Sequence, residues 1–126
     1  DYNIFEFQNA LGSKNIEKSN RIVSYFNANP KEHPLAMVVP YLYGYFTKVM
    51  MYQTLDDRSD TGAARSLRVA PFAVKNYATA SKNFKPRKLE RIIGYIRETD
   101  ARSKGQRNKS VGNDFLLKEM VFKILH

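Results

Sequence analysis

The sequence contains no cysteine. That excludes a disulfide scaffold, a Cys-based zinc site, an iron–sulfur cluster and a thiol nucleophile, and it suits a cytoplasmic protein. No run approaches the roughly 20 apolar residues that a membrane-spanning helix needs, so no membrane role is expected. Residues 1–11 are acidic and aromatic, without the basic start of a signal peptide. The two histidines, His33 and His126, are too far apart for a helical metal pair. The glycines stand at positions 12, 44, 62, 94, 105 and 112, and none forms a GxGxxG or GxxxxGK phosphate loop. Ser59, Ser66, Ser81 and Ser103 have no histidine beside them to act as base. Asp56, Asp57 and Asp60 form the densest carboxylate group. They lack the spacing of an EF-hand loop and read as a solvated loop. The expectation is therefore no catalytic residue, no metal and no cofactor. Alternating strand patterns are nearly absent, and there is no repeat or low-complexity segment.

What is present is a chain of 126 residues, 43% hydrophobic and 26% charged, which is the composition of one folded domain over residues 1–126. It does not begin with Met, and the expectation is an excised part of a longer protein. The formal net charge of +9 is unevenly placed. Residues 1–63 carry 6 Lys+Arg against 7 Asp+Glu, whereas residues 64–126 carry 15 against 5. Most of the excess lies between Arg65 and Lys109. Two readings stay open: a face turned to a polyanion, or solvated helix faces rich in Lys and Arg.

Apolar spacing predicts helices almost throughout. The first covers residues 1–11 and stops at Gly12. A second opens at Ser13 or Lys14, buries Ile16, Ile22, Val23 and Phe26, and ends at Asn29-Pro30. A third runs from about 35 to 55. Its apolar residues nearly encircle it, which places it at the centre of a bundle. Pro40 should kink or break it. A short helix over 62–67, capped by Thr61, precedes a turn at 68–70. A fifth helix starts at Pro71 and reaches Phe84. A sixth opens at Pro86 and fades near 101–104, with Leu89, Ile92, Ile93 and Ile96 on one side. After a polar, basic loop a last helix covers 115–125. The fold class is all-α, a single compact bundle of six to seven helices.

Two segments carry a functional alternative. Tyr41, Tyr43, Tyr45, Phe46 and Tyr52 resemble a stacking platform for bases. Tyr41, Tyr45 and Tyr52 share roughly one helical face, so core or subunit-interface packing is the better reading. Residues 63–84 imitate a helix-turn-helix, with Lys75, Asn76 and Lys82 on the second helix. The start of that helix is apolar where base-reading side chains would be needed, which favours helix packing. A free-standing helical nucleic-acid-binding domain is the alternative this segment keeps open.

The string Tyr2-Asn3-Ile4-Phe5, then Ala10-Leu11, Lys14, Arg21-Ile22 and His33-Pro34-Leu35, resembles the C-terminal part of the delta subunit of bacterial DNA polymerase III. Leu67-Arg68-Val69, Pro71-Phe72-Ala73-Val74-Lys75, Ala80, Phe84, Asp100, Lys104-Gly105 and Phe115-Leu116-Leu117 continue it in order. The likeness spans essentially the whole chain, and order and spacing make it specific. It implies a clamp-loader subunit that does not hydrolyse ATP. Such a protein joins gamma/tau and delta-prime type subunits through a helical collar domain. It meets the sliding clamp through N-terminal domains that are not in this chain, and it supports loading of the clamp onto primed DNA. The present chain would be the collar. Arg68 stands where the family often has glycine, so its turn is expected to wind differently. The loop at 104–113 has no aromatic residue for stacking, which leaves phosphate contact. Lys104, Arg107 and Lys109 in that loop, with Arg87 and Lys88 on the sixth helix, are the candidate phosphate contacts.

Overall fold

Side-chain capping marks where three of the helices begin. In the computed structural model, which describes residues 1–105 and 111–126, α1 spans Ile4–Gly12. It opens with a reciprocal capping box: Asn3 Oδ1 accepts from the Glu6 N–H at 2.8 Å, and Glu6 Oε1 accepts from the Asn3 N–H at 3.1 Å. The helix does not stop before Gly12 but includes it, and the chain turns at Lys14, whose φ is 54°. Asn15 then caps α2, Ile16–Ala28, by accepting from the Lys18 N–H at 3.1 Å. Ile22, Val23 and Phe26 of α2 are buried as their spacing predicts, but Ile16 is exposed.

The central helix α3 spans Leu35–Tyr52 and begins directly after Pro34. It continues through Pro40, so the proline does not break it. Proline removes one N–H and leaves the carbonyl four residues earlier without its partner. Pro40 and Ala36 are both exposed, so water can satisfy that carbonyl. Leu35, Val38, Val39, Leu42, Tyr45, Phe46, Val49 and Tyr52 are buried around the helix. It packs on α1 and on three later helices.

Helix α4 spans Asp60–Leu67, and its cap is Ser59, not Thr61. Ser59 Oγ accepts from the Gly62 N–H at 3.1 Å. Arg68 ends the helix in the left-handed region, at φ 58° and ψ 50°. Arginine thus takes up the conformation that glycine adopts without strain. The turn therefore carries left-handed strain at Arg68. Pro71–Ala73 form a 3-10 turn, and α5 follows at Val74–Asn83, three residues later than expected. Helices α6 (Pro86–Lys104) and α7 (Asn113–Leu125) complete the bundle, and α7 begins two residues earlier than its apolar pattern suggests.

The described residues therefore form seven α-helices and one 3-10 turn, with no strand. Helix α6 lies along α3, and α7 covers α6 and α2. Phe7, Phe26, Phe46 and Phe84 are fully buried. Phe7 meets Phe26 edge-on at 5.1 Å, and Phe46 meets Phe84 likewise at 5.8 Å. Burying a side chain of this size contributes about 1.5–3 kcal/mol. Polar ties fix the helix ends: Asn83 Nδ2 donates to the Gly12 carbonyl at 2.9 Å, and Gln53 Nε2 donates to that of Phe84 at 2.8 Å. No helix among the described residues is long and apolar enough to cross a membrane.

Candidate functional site

Helix α6 carries six of the 21 basic side chains, more than any other helix, because one face of it is polar. Its buried residues are Leu89, Ile92, Ile96 and Thr99, while Lys85, Arg87, Arg91, Arg97 and Lys104 are exposed. The phosphate candidates on it differ in their surroundings. Arg87 is exposed and makes no ion pair among the described residues. Lys88 is half-buried, and its Nζ donates to the Lys123 carbonyl at 2.9 Å. Burial first, then the nearby charges of Arg91 and Lys14, lowers the Lys88 pKa. Lys104 is paired with Asp100 at 3.2 Å, one helical turn back. Arg107 and Lys109 lie outside the described residues.

A groove of about 310 Å³ runs between α3 and α6, with Val39, Pro40 and Ile96 as apolar wall. Arg97 donates to the Tyr43 hydroxyl at 3.1 Å on its rim, where Lys104 also sits. The other tyrosines of α3 divide. Tyr45 and Tyr52 belong to the core, at 2% and 7% exposure, while Tyr41 is 38% exposed. Phe46, set apart from these by helical spacing, is also wholly buried, because α3 is enclosed on most sides. The Tyr45 hydroxyl donates to Asn76 Oδ1. Burial pushes the Tyr45 hydroxyl well above the usual phenol range, and pushes that of Tyr77 up to about 12.

The helix-turn-helix likeness loses its reader in the process. Asn76 is half-buried and turned inward, since its Nδ2 also donates to the Asn9 carbonyl at 3.4 Å. Helix α5 packs on α3 and α1, and Val74, Tyr77 and Ala80 face that contact. Lys75 and Lys82 remain exposed.

An apolar face is the largest surface feature that sequence reasoning missed. Phe72 is 77% exposed and Met37 66% exposed. Phe72 meets Phe5 edge-on at 6.3 Å, and both line a groove of about 390 Å³ with Tyr41. Tyr41 continues into a second groove of about 240 Å³ that holds Met37 and Ile4. Tyr41 thus links apolar side chains of α1, α3 and the 3-10 turn, with Gln8, Lys48 and Glu32 among the polar residues that border them. Only the summed helical positions of three separate elements would have revealed this grouping. Lys14 was missed as a cation for the same reason: the fold brings it to α6 from the far end of the chain.

The remaining candidates for chemistry serve the fold. Asp57 accepts from the Ser59 N–H at 3.0 Å and from the Ser59 hydroxyl at 2.6 Å, which lowers its pKa and steadies the cap of α4. The His33 ring stacks on Phe26, with centroids 4.1 Å apart. Among the described residues, no three His, Asp or Glu side chains converge to hold a metal ion.

Compared with known proteins, the chain matches a family model, DNA polymerase III delta subunit, C-terminal domain, over residues 1–120. No curated protein and no solved structure matches it.

Proposed function

The chain belongs to the family of C-terminal domains of the DNA polymerase III delta subunit, and from that premise we propose that it is the helical collar of a clamp-loader delta subunit. Residues 1–126 act as a single assembly domain. They join the protein to gamma/tau and delta-prime type subunits in the cytoplasm, while N-terminal domains of the same protein engage the sliding clamp. The module itself carries out no catalysis. Its basic side lies near primed DNA, with Arg87, Lys88, Lys104, Arg107 and Lys109 as phosphate contacts. These contacts position the complex without reading sequence.

The observation that carries the reading is the group of exposed apolar side chains Phe5, Met37, Tyr41 and Phe72, linked through two grooves. An exposed apolar patch on a small domain marks a partner. Its elements are helical, and the collar of a neighbouring subunit offers helices to pack into the two grooves. Tyr41 belongs to this contact, whereas Tyr45 and Tyr52 support it from the core. The inward turn of Asn76 speaks against the helix-turn-helix alternative. The test is co-purification of the full-length protein with gamma/tau and delta-prime type subunits. A stable complex is expected, and an empty pull-down would sink the reading.

A further inference from the structure

We propose that Lys14, Lys88 and Arg91 form one phosphate-binding site for the backbone of duplex DNA. This inference rests on the collar reading and adds two residues to it. Lys14 belongs to the turn between α1 and α2, and that turn is pinned to the start of α6 by the Asn83–Gly12 hydrogen bond of 2.9 Å. The Lys14 ammonium lies 5.2 Å from the centre of the Phe84 ring, two residues before α6 begins. Lys88 is held by its bond to the Lys123 carbonyl, with its Nζ 5.6 Å from the centre of the Tyr95 ring. Arg91 follows Lys88 by three residues, on the adjacent part of the same helical face, and is exposed.

Nearby acids do not offset these charges. Glu98 pairs with Lys123 at 3.7 Å. Glu90, two residues from Lys88 along a 3.6-residue turn, projects from the other side of α6. The cations come from two distant segments, and Glu17, the acid nearest Lys14 in sequence, is paired with Arg21 at 3.0 Å. Neighbouring like charges repel; burial is the larger cause of the lowered Lys88 pKa, and the charges of Arg91 and Lys14 add to it. A polyanion turns the same arrangement into attraction. Rigid positioning matters here: two of the cations are already placed by aromatic rings and a carbonyl, so little side-chain freedom is lost on binding.

The test uses the full-length protein and fluorescence anisotropy of a labelled primed duplex, between about 50 and 400 mM salt. Lys14→Asn with Arg91→Gln removes two charges, and asparagine tolerates the left-handed backbone at position 14. Each lost phosphate contact should make the logarithmic salt slope shallower by about 1, so the pair should change it by about 2. At 0.1 M salt that amounts to roughly 60-fold weaker binding. Lys31→Gln with Arg65→Gln, which removes two exposed charges elsewhere, should leave the slope near wild type. An unchanged slope in the first variant overturns the site, as does an equal loss in the control or the absence of salt-dependent binding by wild type. Normal DNA binding with lost capture of partner subunits also overturns it, because the face would then belong to a protein contact. Failure of the wild-type protein to assemble counts against the collar reading, and the salt slope still judges the site.

Discussion

Replacing Gly12 by alanine should destabilise the domain, although helix propensity alone argues the opposite. Gly12 is the last residue of α1, and alanine in a helix is about 1 kcal/mol better than glycine. Here the added Cβ would overlap the Tyr45 hydroxyl and lie 3.2 Å from Ala80 Cβ. Tyr45 is only 2% exposed and donates to Asn76, so it cannot move into solvent. Forcing it aside costs about 1–3 kcal/mol for the overpacked core. A further ~1–3 kcal/mol is lost with the broken buried hydrogen bond. Less the ~1 kcal/mol of helix propensity, the net loss is about 1–5 kcal/mol, centred near 3. For a chain of 126 residues, a loss near the centre of that range lowers Tm by about 8–16 °C. Gly94→Ala is the internal control, since Gly94 is exposed within α6 and a Cβ there meets nothing within 4 Å. That change should gain about 0.5–1 kcal/mol. Thermal unfolding followed by circular dichroism reads both. A Gly12→Ala variant as stable as wild type would refute the close approach of α1 to Tyr45.

Further expectations concern the tyrosines and the turn after α4. Burial raises the Tyr77 pKa to about 12, and that of Tyr45 further. Between pH 10 and 12 the folded state then holds protons that the unfolded chain has released, so stability is complete below about pH 10 and falls as pH rises. The slope should be about 1.4 kcal/mol per pH unit for each of the two residues. Tyrosinate absorbance of the folded protein checks this, and all eight tyrosines titrating together near pH 10 would contradict it. Arg68→Gly should relieve left-handed strain of about 1–2 kcal/mol, less the entropy that glycine adds to the unfolded chain. A Tm rise of about 2–4 °C is expected, and a fall would mean that the Arg68 side chain holds the turn.

What could be read in the sequence was whatever depends on a local period. The near-complete apolar coat of α3 predicted its central position, and the Leu89, Ile92, Ile96 spacing predicted how α6 lies. Capping was legible only in part, because Ser59 and Thr61 can both cap a helix, and it is Ser59, bonded to Asp57, that caps α4. That Pro40 does not break α3 was not legible, because the cost of a helical proline depends on whether the freed carbonyl faces water. Gly12 looked like a breaker, yet its importance lies in a contact with residues more than thirty positions away. The same limit hid the two surfaces on which the proposals rest. Phe5, Met37, Tyr41 and Phe72 come together only through packing, and so do Lys14 and Lys88.

Phe72 tests the central claim most directly. It is 77% exposed, so Phe72→Glu should leave Tm nearly unchanged. Binding of the full-length protein to gamma/tau and delta-prime type subunits, measured by sedimentation velocity, should weaken about 10- to 100-fold, in keeping with the burial of one phenyl ring. Undiminished assembly by a stably folded Phe72→Glu protein would contradict the account of this domain as a collar that joins its neighbours through that face.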